Sequence, residues 1–318
     1  FDAVYKRANP VPDSLADYYD RWGNGYAAFE LELLASANEC NSGFFNLEFV
    51  SDFTPGQIST ICSVFEYISG LITPASIDSE INIRISKEQI GVGVLAAGSP
   101  LWDQQECGIA NSVIERILIG GDPNLFDRVH GTMVFNEVYN DEWYTGNQPS
   151  RDDLFDMYTV ALHEAMHVLG FASLISDANG TPLNDAYSRF DQFLFSQSDN
   201  EFLIDQAVSP MACCDEHVFD TNTSDNIVLG CGNGLFFRKE GANIASINGN
   251  NPNVLNLLSH FRDTCDSKSY VMDPDLSTGE VKDILTNEEL EVLQAIGYNI
   301  NSLPTPACDV IAIDDIIV

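Results

Sequence analysis

One stretch narrows the possibilities for this chain more than any other: VALHEAMHVLGFAS, residues 160–173. His163, Glu164 and His167 stand in a run otherwise made of Val160, Ala161, Leu162, Ala165, Met166, Val168 and Leu169. On a helix the two imidazoles are four residues apart, so they project from one face about one turn (about 5.4 Å) from each other. The apolar flanks predict a buried helix, where two imidazoles and a carboxylate are costly unless a metal or hydrogen-bond partners satisfy them. The pattern H-E-x-x-H meets that need. Both rings reach one zinc at about 2.0–2.1 Å, and Glu164, pointing to the side, is placed to act as a general base. The plainer alternative is a coincidental helical pair, hydrogen-bonded in a core. Two of the chain's five histidines fall in this single helix, which favours the metal.

A catalytic zinc needs a third protein ligand. The extended form of the motif puts a His three residues beyond the Gly, and here Ser173 stands at that place. The remaining candidates are His130, His217, His260 or a carboxylate. His130 opens GTMVFNEV and also reads as a strand-end residue. His217 sits in the acidic, cysteine-rich CCDEHVFD, and His260 follows an apolar run in LLSHFRDTCDSKSYVMDP. Asp191, in YSRFDQFL, reads either as a ligand or as a local cap or pairing group. Spacing alone leaves these open.

Capping signals frame the His helix. Ser150 and Asp153 read as a capping box ahead of LFDMYTVALHEAMHVL, with Gly170 as the stop. Upstream, FNLEFVSDF (45–53) predicts a strand leading into TPGQISTICSVFEYISGLI. There Thr54 can N-cap, Pro55 takes the first helical position and Gln57 completes a box. Ile58, Ile61, Cys62, Phe65 and Ile68 recur at helical spacing, and Gly70 reads as the stop. EINIRIS (80–86) alternates as a half-buried strand does, and IGVGVLAAG (90–98) and GTMVFNEV (131–138) read as further strands. SLADYYDRWGNGYAAFELELL near the start is expected to be partly helical. Residues 171–259, rich in Asn, Gly and Ser, read as irregular. A last helix has Thr286 and Glu289 as its box, Leu290, Leu293 and Ile296 as its stripe, and Gly297 as its stop. The tail PTPACDVIAIDDIIV (304–318) follows a Pro-rich break. This order predicts an α+β fold of two lobes, with the His helix along their boundary.

With 14 Lys+Arg against 48 Asp+Glu, the net charge is -34. Such a surface repels nucleic acid and anionic membranes, so neither is expected as a partner. It suits a protein secreted into high ionic strength. It also makes structural calcium, held by carboxylates, a second cofactor to consider. No apolar run approaches the roughly 18 residues of a membrane span. Eight cysteines, none in C-x-x-C spacing, argue against a thiolate metal site and suggest up to four disulfides in an oxidising compartment. A start at Phe1 without an initiator Met or leader is expected of a processed or trimmed form. The sequons at Asn179 and Asn222 matter only where the source glycosylates.

Taken together, HEAMHVLGF, His260 and YVMDP around Met272 resemble the metzincin zinc metallopeptidases, in particular the leishmanolysin-like branch. That branch inserts a long segment between the Gly and the third His, with a Met-containing turn shortly after. The resemblance is strongest at these residues and extends at motif level over roughly residues 45–302. It implies that His163, His167 and His260 bind one zinc and Glu164 is the base. Gly170 would turn the chain beneath the metal and Met272 would floor the site. It also implies a twisted mixed β-sheet with a backing helix (TPGQISTICSVFEYISGLI) and the active-site helix, above a loop-rich lower subdomain closed by NEELEVLQAIGYNI. The division that follows is an N-terminal extension or pro-segment remnant (1–44), an upper subdomain (45–170), a lower one (171–302, insertion 171–259) and a tail (303–318). GTMVFN resembles the edge strand over the substrate cleft. Three positions depart from the pattern. Ser173 is no ligand, Pro274 stands where some metzincins carry a metal-facing Tyr, and no inhibitory Cys or Asp of a pro-segment is identifiable.

The implied reaction is hydrolysis of peptide bonds in protein or peptide substrates, paired in extended form along residues 131–136. Two rivals come from other classes. One is a secreted binding or adhesion module on the same fold without turnover, against which the intact Glu164 counts. The other is a calcium-loaded structural protein in which the His pair is incidental.

Overall fold

The computed structural model describes residues 39–76, 80–91, 93–103, 108–120, 128–146, 152–175, 180, 182, 186–204, 234–247, 257–262 and 268–301, together with Tyr18 and Tyr19. The architecture is mixed α+β. Its main sheet has five strands: β1 (Glu39–Ser42), β2 (Phe45–Phe49), β3 (Ile81–Glu88), β4 (Ala96–Pro100) and β5 (Gly131–Asn136). Their order is β1-β2-β3-β5-β4. The β2, β3 and β5 strands run parallel, while β1 and β4 close the two sides antiparallel.

Alternation explains the strands. In β2, Phe45, Leu47 and Phe49 are buried and the residues between them half-buried; in β3, Ile81, Ile83 and Ile85 face the same core. Helix α1 (Pro55–Leu71) turns Ile61, Val64, Phe65, Ile68 and Leu71 onto it. Its capping box is formed as the sequence suggests, with Gln57 N donating to Thr54 Oγ1 (3.3 Å) and Thr54 N to Gln57 Oε1 (3.0 Å). A disulfide, Cys40–Cys62, ties β1 to α1. Gly70 does not stop this helix. It continues through Leu71, and the chain leaves in extended form at Ile72 because Thr73 N donates to Asn299 O (2.8 Å) and Asn301 N to Leu71 O (2.7 Å).

Three other expectations are corrected, and one helix is added. GTMVFN is interior: β5 pairs with β3 on one side and β4 on the other, so among the described residues the last strand on that side of the sheet is β4. The strand expected at 90–98 forms as AAGSP, ending at Pro100. A proline lacks the N–H an interior position would use but is tolerated at an edge. A short helix, α2 (Val113–Gly120), was not foreseen. Residues 171–259 are not wholly irregular, since β6 (Leu194–Ser196), β7 (Glu201–Phe202), β8 (Leu235–Lys239) and β9 (Ala242–Ser246) form a second antiparallel sheet in the order β7-β6-β8-β9.

A helix expected within residues 14–34 lies outside the described residues except for Tyr18–Tyr19. These two are extended and pair with Trp102–Asp103. The 304–318 tail also lies outside them. Among the described residues, no helix is long and apolar enough to cross a membrane.

Candidate metal centre

The His helix, α3, spans Met157–Val168 and starts later than Ser150 and Asp153 suggest. Phe155–Asp156 pairs with Trp143–Tyr144, which keeps the backbone extended up to Asp156. Asp156 is the actual N-cap, its Oδ1 accepting from Thr159 N (2.7 Å) and Thr159 Oγ1 (2.7 Å). Ser150 lies outside the described residues. The far end closes as anticipated at Gly170, whose φ of 93° is open to glycine at little cost. Gly170 N donates to His167 O (2.9 Å) and Phe171 N to Met166 O (3.1 Å), the two bonds of a Schellman cap.

That cap also orients a ring. The turn brings Phe171 O to 2.8 Å from His167 Nδ1, and Val271 O lies 2.7 Å from His163 Nδ1. A carbonyl only accepts, so both Nδ1 atoms carry the hydrogen and both Nε2 atoms keep their lone pairs. His260 enters from the other side of the chain. It lies between the short turn Leu257–Ser259 and Phe261, which bridges Ile247. The three Nε2 atoms then converge: 163 to 167 at 3.1 Å, 167 to 260 at 3.1 Å and 163 to 260 at 3.2 Å. His167 and His260 are buried and His163 is half-buried.

The lone pairs of His163 and His167 at such a separation repel unless something electropositive lies between them. Ligand bonds of about 2.0–2.1 Å around a tetrahedral metal put neighbouring donors about 3.3 Å apart, close to the edges found here. The three histidines therefore fit a metal ion. Among the described residues they are the one group of three or more His, Cys, Asp or Glu side chains close enough to hold one, and no carboxylate cluster of that kind for calcium is found there.

Next to His163, through Val271, residues 270–273 form a turn in which Met272 is wholly buried. Its carbonyl accepts from Phe261 N (2.9 Å), next to His260, and its N–H donates to Glu289 Oε1 (2.7 Å). Glu289 Oε2 completes the predicted capping box of the last helix, α4 (Asn287–Ala295), accepting from Thr286 N (2.7 Å) and Thr286 Oγ1 (2.9 Å). Glu164 is buried on α3. Strand β4 crosses it so closely that a Cβ at Gly98 would overlap the Glu164 carbonyl oxygen.

The other candidates fall elsewhere. His130 is buried at the head of β5, where its Nδ1 accepts from Asn82 N (2.9 Å). His217 lies outside the described residues. Asp191 is fully buried and pairs locally, its Oδ2 accepting from Leu174 N (2.9 Å), Ser188 N (2.8 Å) and Ser188 Oγ (2.9 Å). Burial pushes its carboxyl up to about 6, against the pull of those donors. Ser173 holds no place in the triangle.

Sequence reasoning missed three features: the close approach at Gly98, the Ser259 Oγ that accepts from Ser173 N (2.8 Å), and the second role of Glu289. A Gly in a run otherwise reading as a strand is a signal of close backbone approach, but hydroxyls and caps that act over long sequence distances leave no local pattern. Comparison with protein-family models, with curated proteins and with solved structures finds no match to this chain.

Proposed function

We propose that this chain is a secreted zinc-dependent endopeptidase of metzincin type. The observation that carries the reading is the convergence of the Nε2 atoms of His163, His167 and His260 to within 3.2 Å, the first two on the helix that also bears Glu164. Three neutral imidazoles suit zinc, with a fourth position left for water or substrate. A zinc ion held there by His163, His167 and His260 would supply Lewis acidity, lowering the pKa of a water towards about 7 and polarising a carbonyl.

The chain's own residues do the rest. Val271 O and Phe171 O fix the tautomers of His163 and His167, which keeps both Nε2 atoms available. Glu164 takes a proton from the attacking water and returns it to the departing amine. An extended substrate pairs through main-chain bonds, which serve any sequence. The edge that would receive it is β4, which Gly98 holds against the Glu164 backbone. The Cys40–Cys62 bond and the net charge of -34 support an oxidising, extracellular setting.

The test is Glu164→Gln against unfolded protein substrates, with zinc measured on both forms. We expect one zinc per chain in each and cleavage by the wild type alone. Equal cleavage by both would overturn the mechanism. Stoichiometric zinc without cleavage in the wild type would favour a binding module on the same scaffold.

A further inference from the structure

Ser173 occupies the place where the compact motif carries its third ligand, and it is connected to the deferred one. Its backbone N–H donates to Ser259 Oγ at 2.8 Å across a sequence separation of 86, and Ser259 immediately precedes His260. Both ends of this contact are fixed. On one side, Asp191 Oδ2 takes the N–H of Leu174, and Ser188 Oγ lies 2.7 Å from Ala172 O, so residues 172–174 are clamped as they leave the Gly170 turn. On the other, Ser259 is buried in the Leu257–Ser259 turn and Phe261 N is held by Met272 O.

We propose that Ser259 is a positioning residue for His260: its hydroxyl, seated on the Ser173 N–H, sets the register in which the chain returns and delivers the third imidazole to the other two. The proposal rests on the reading of the three histidines as a metal site. A shift of one residue along the chain at this point would replace His260 with Ser259 or Phe261, neither of which offers an imidazole. Without the hydroxyl, the half-buried Ser173 loses the acceptor for its N–H and the turn bearing His260 loses its contact with the α3 exit. Ser173 thus serves the site through its backbone, at the very place where its side chain supplies no ligand.

The experiment compares Ser259→Thr with Ser259→Val, a nearly isosteric pair that differs in the hydroxyl and carries the same added bulk, together with Ser259→Ala. Zn2+ and Co2+ are titrated into metal-free protein against a competing chelator. The cobalt absorption spectrum reports coordination geometry, and the melting temperature of each metal-free form reports the fold. We expect Ser259→Val to bind either metal about 10–100-fold more weakly than Ser259→Thr, the range usual for residues that orient ligands. Its cobalt spectrum should change while the metal-free melting temperatures of the pair stay close. Ser259→Ala should weaken binding similarly against the wild type. Equal affinity and equal spectra in Thr and Val, or an Ala variant within twofold of wild type, would overturn the proposal. Failure of the wild type to bind one equivalent of either metal would instead overturn the metal-site reading itself.

Discussion

Replacing Glu289 with Gln should damage two things that lie apart in sequence, because one buried carboxylate holds both. Its Oε1 takes the Met272 N–H at 2.7 Å, and its Oε2 takes Thr286 N and Oγ1 at 2.7 and 2.9 Å. Gln keeps the shape but has one oxygen, so its amide must face a donor on one side. A buried donor left without an acceptor costs about 1–3 kcal/mol, and the surviving bonds lose the assistance of charge. We expect a loss of about 3 kcal/mol, which for a protein of this size lowers the melting temperature by about 4–5 °C. Thr286→Ala is the control: it removes the cap but not the tie to Met272, and should cost about 1 kcal/mol. Metal affinity separates the two further. The Met272 turn carries Val271 O, which holds His163, and Met272 O, which holds the residue after His260. Glu289→Gln should therefore weaken zinc binding about 10–100-fold, with little change in Thr286→Ala. The measurements are thermal unfolding of metal-free protein and a chelator-competed zinc titration. If the two variants melt together and bind zinc equally, Glu289 is only a helix cap and the reasoning fails.

Gly98→Val places a side chain where the Glu164 carbonyl already lies, so β4 and α3 must separate. We expect a cost of about 1–3 kcal/mol in denaturant unfolding, and an unchanged midpoint would show that strand and helix are not in close contact. Stability should also depend on pH through Glu115, whose carboxyl burial pushes up to about 7 despite its ion pair with Arg189 at 2.5 Å. The folded state holds that proton more tightly than the unfolded one. Its contribution is therefore complete below about 4.5 and lost as pH rises towards 7, at most about 3 kcal/mol. Melting temperatures of metal-free wild type and Glu115→Gln between these limits should show a shallower slope in the variant, and parallel slopes would refute the assignment.

The parts of this fold that were legible are those written in short-range pattern. Thr54 with Gln57 and Thr286 with Glu289 form the boxes their spacing suggests, and Gly170 closes α3 because only a residue at ease with positive φ continues that turn. The third corner of the site was legible through the joint presence of His260 and Met272 rather than through any periodicity. What stayed hidden depends on pairing. The alternation in GTMVFN records which side chains face the core, and it is the same for an interior strand as for an edge. AAGSP, with Gly and Pro, hardly reads as a strand at all, yet it forms β4 because Gly98 permits the close approach of α3. Two turns of VIERILIG were too brief to declare α2, although Ser112, whose Oγ accepts from Glu115 N at 2.9 Å, left an S-x-x-E signal ahead of it. Asp156 displaced Ser150 and Asp153 as the α3 cap because an extended pairing with Trp143–Tyr144 comes first.

Bringing His260 to the other two histidines over so long an excursion is feasible on energetic grounds. His167 and His260 are 93 positions apart. Closing such a loop, rather than one of about six residues, takes about four doublings in length at about 0.6 kcal/mol each, or some 2–3 kcal/mol. The intervening segment offsets this through the packing of its described residues. Phe237 of β8 is fully buried against the rings of Phe190 and Phe193, at 5.1 and 5.0 Å, and burying a Phe contributes about 1.5–3 kcal/mol. One such residue roughly cancels the closure cost, and β6–β9 bury several more apolar side chains. The excursion is therefore limited by register rather than by energy. Register at its exit rests on backbone donors spaced closely around His260: Ser173 N to Ser259 Oγ, Phe261 N to Met272 O, and Arg262 N to Ser246 O at 3.2 Å. Each joins the returning strand to a different element, namely the α3 exit, the Met272 turn and β9. Three anchors on three elements fix a short segment in position and direction, and His260 has no freedom to sit anywhere but between them.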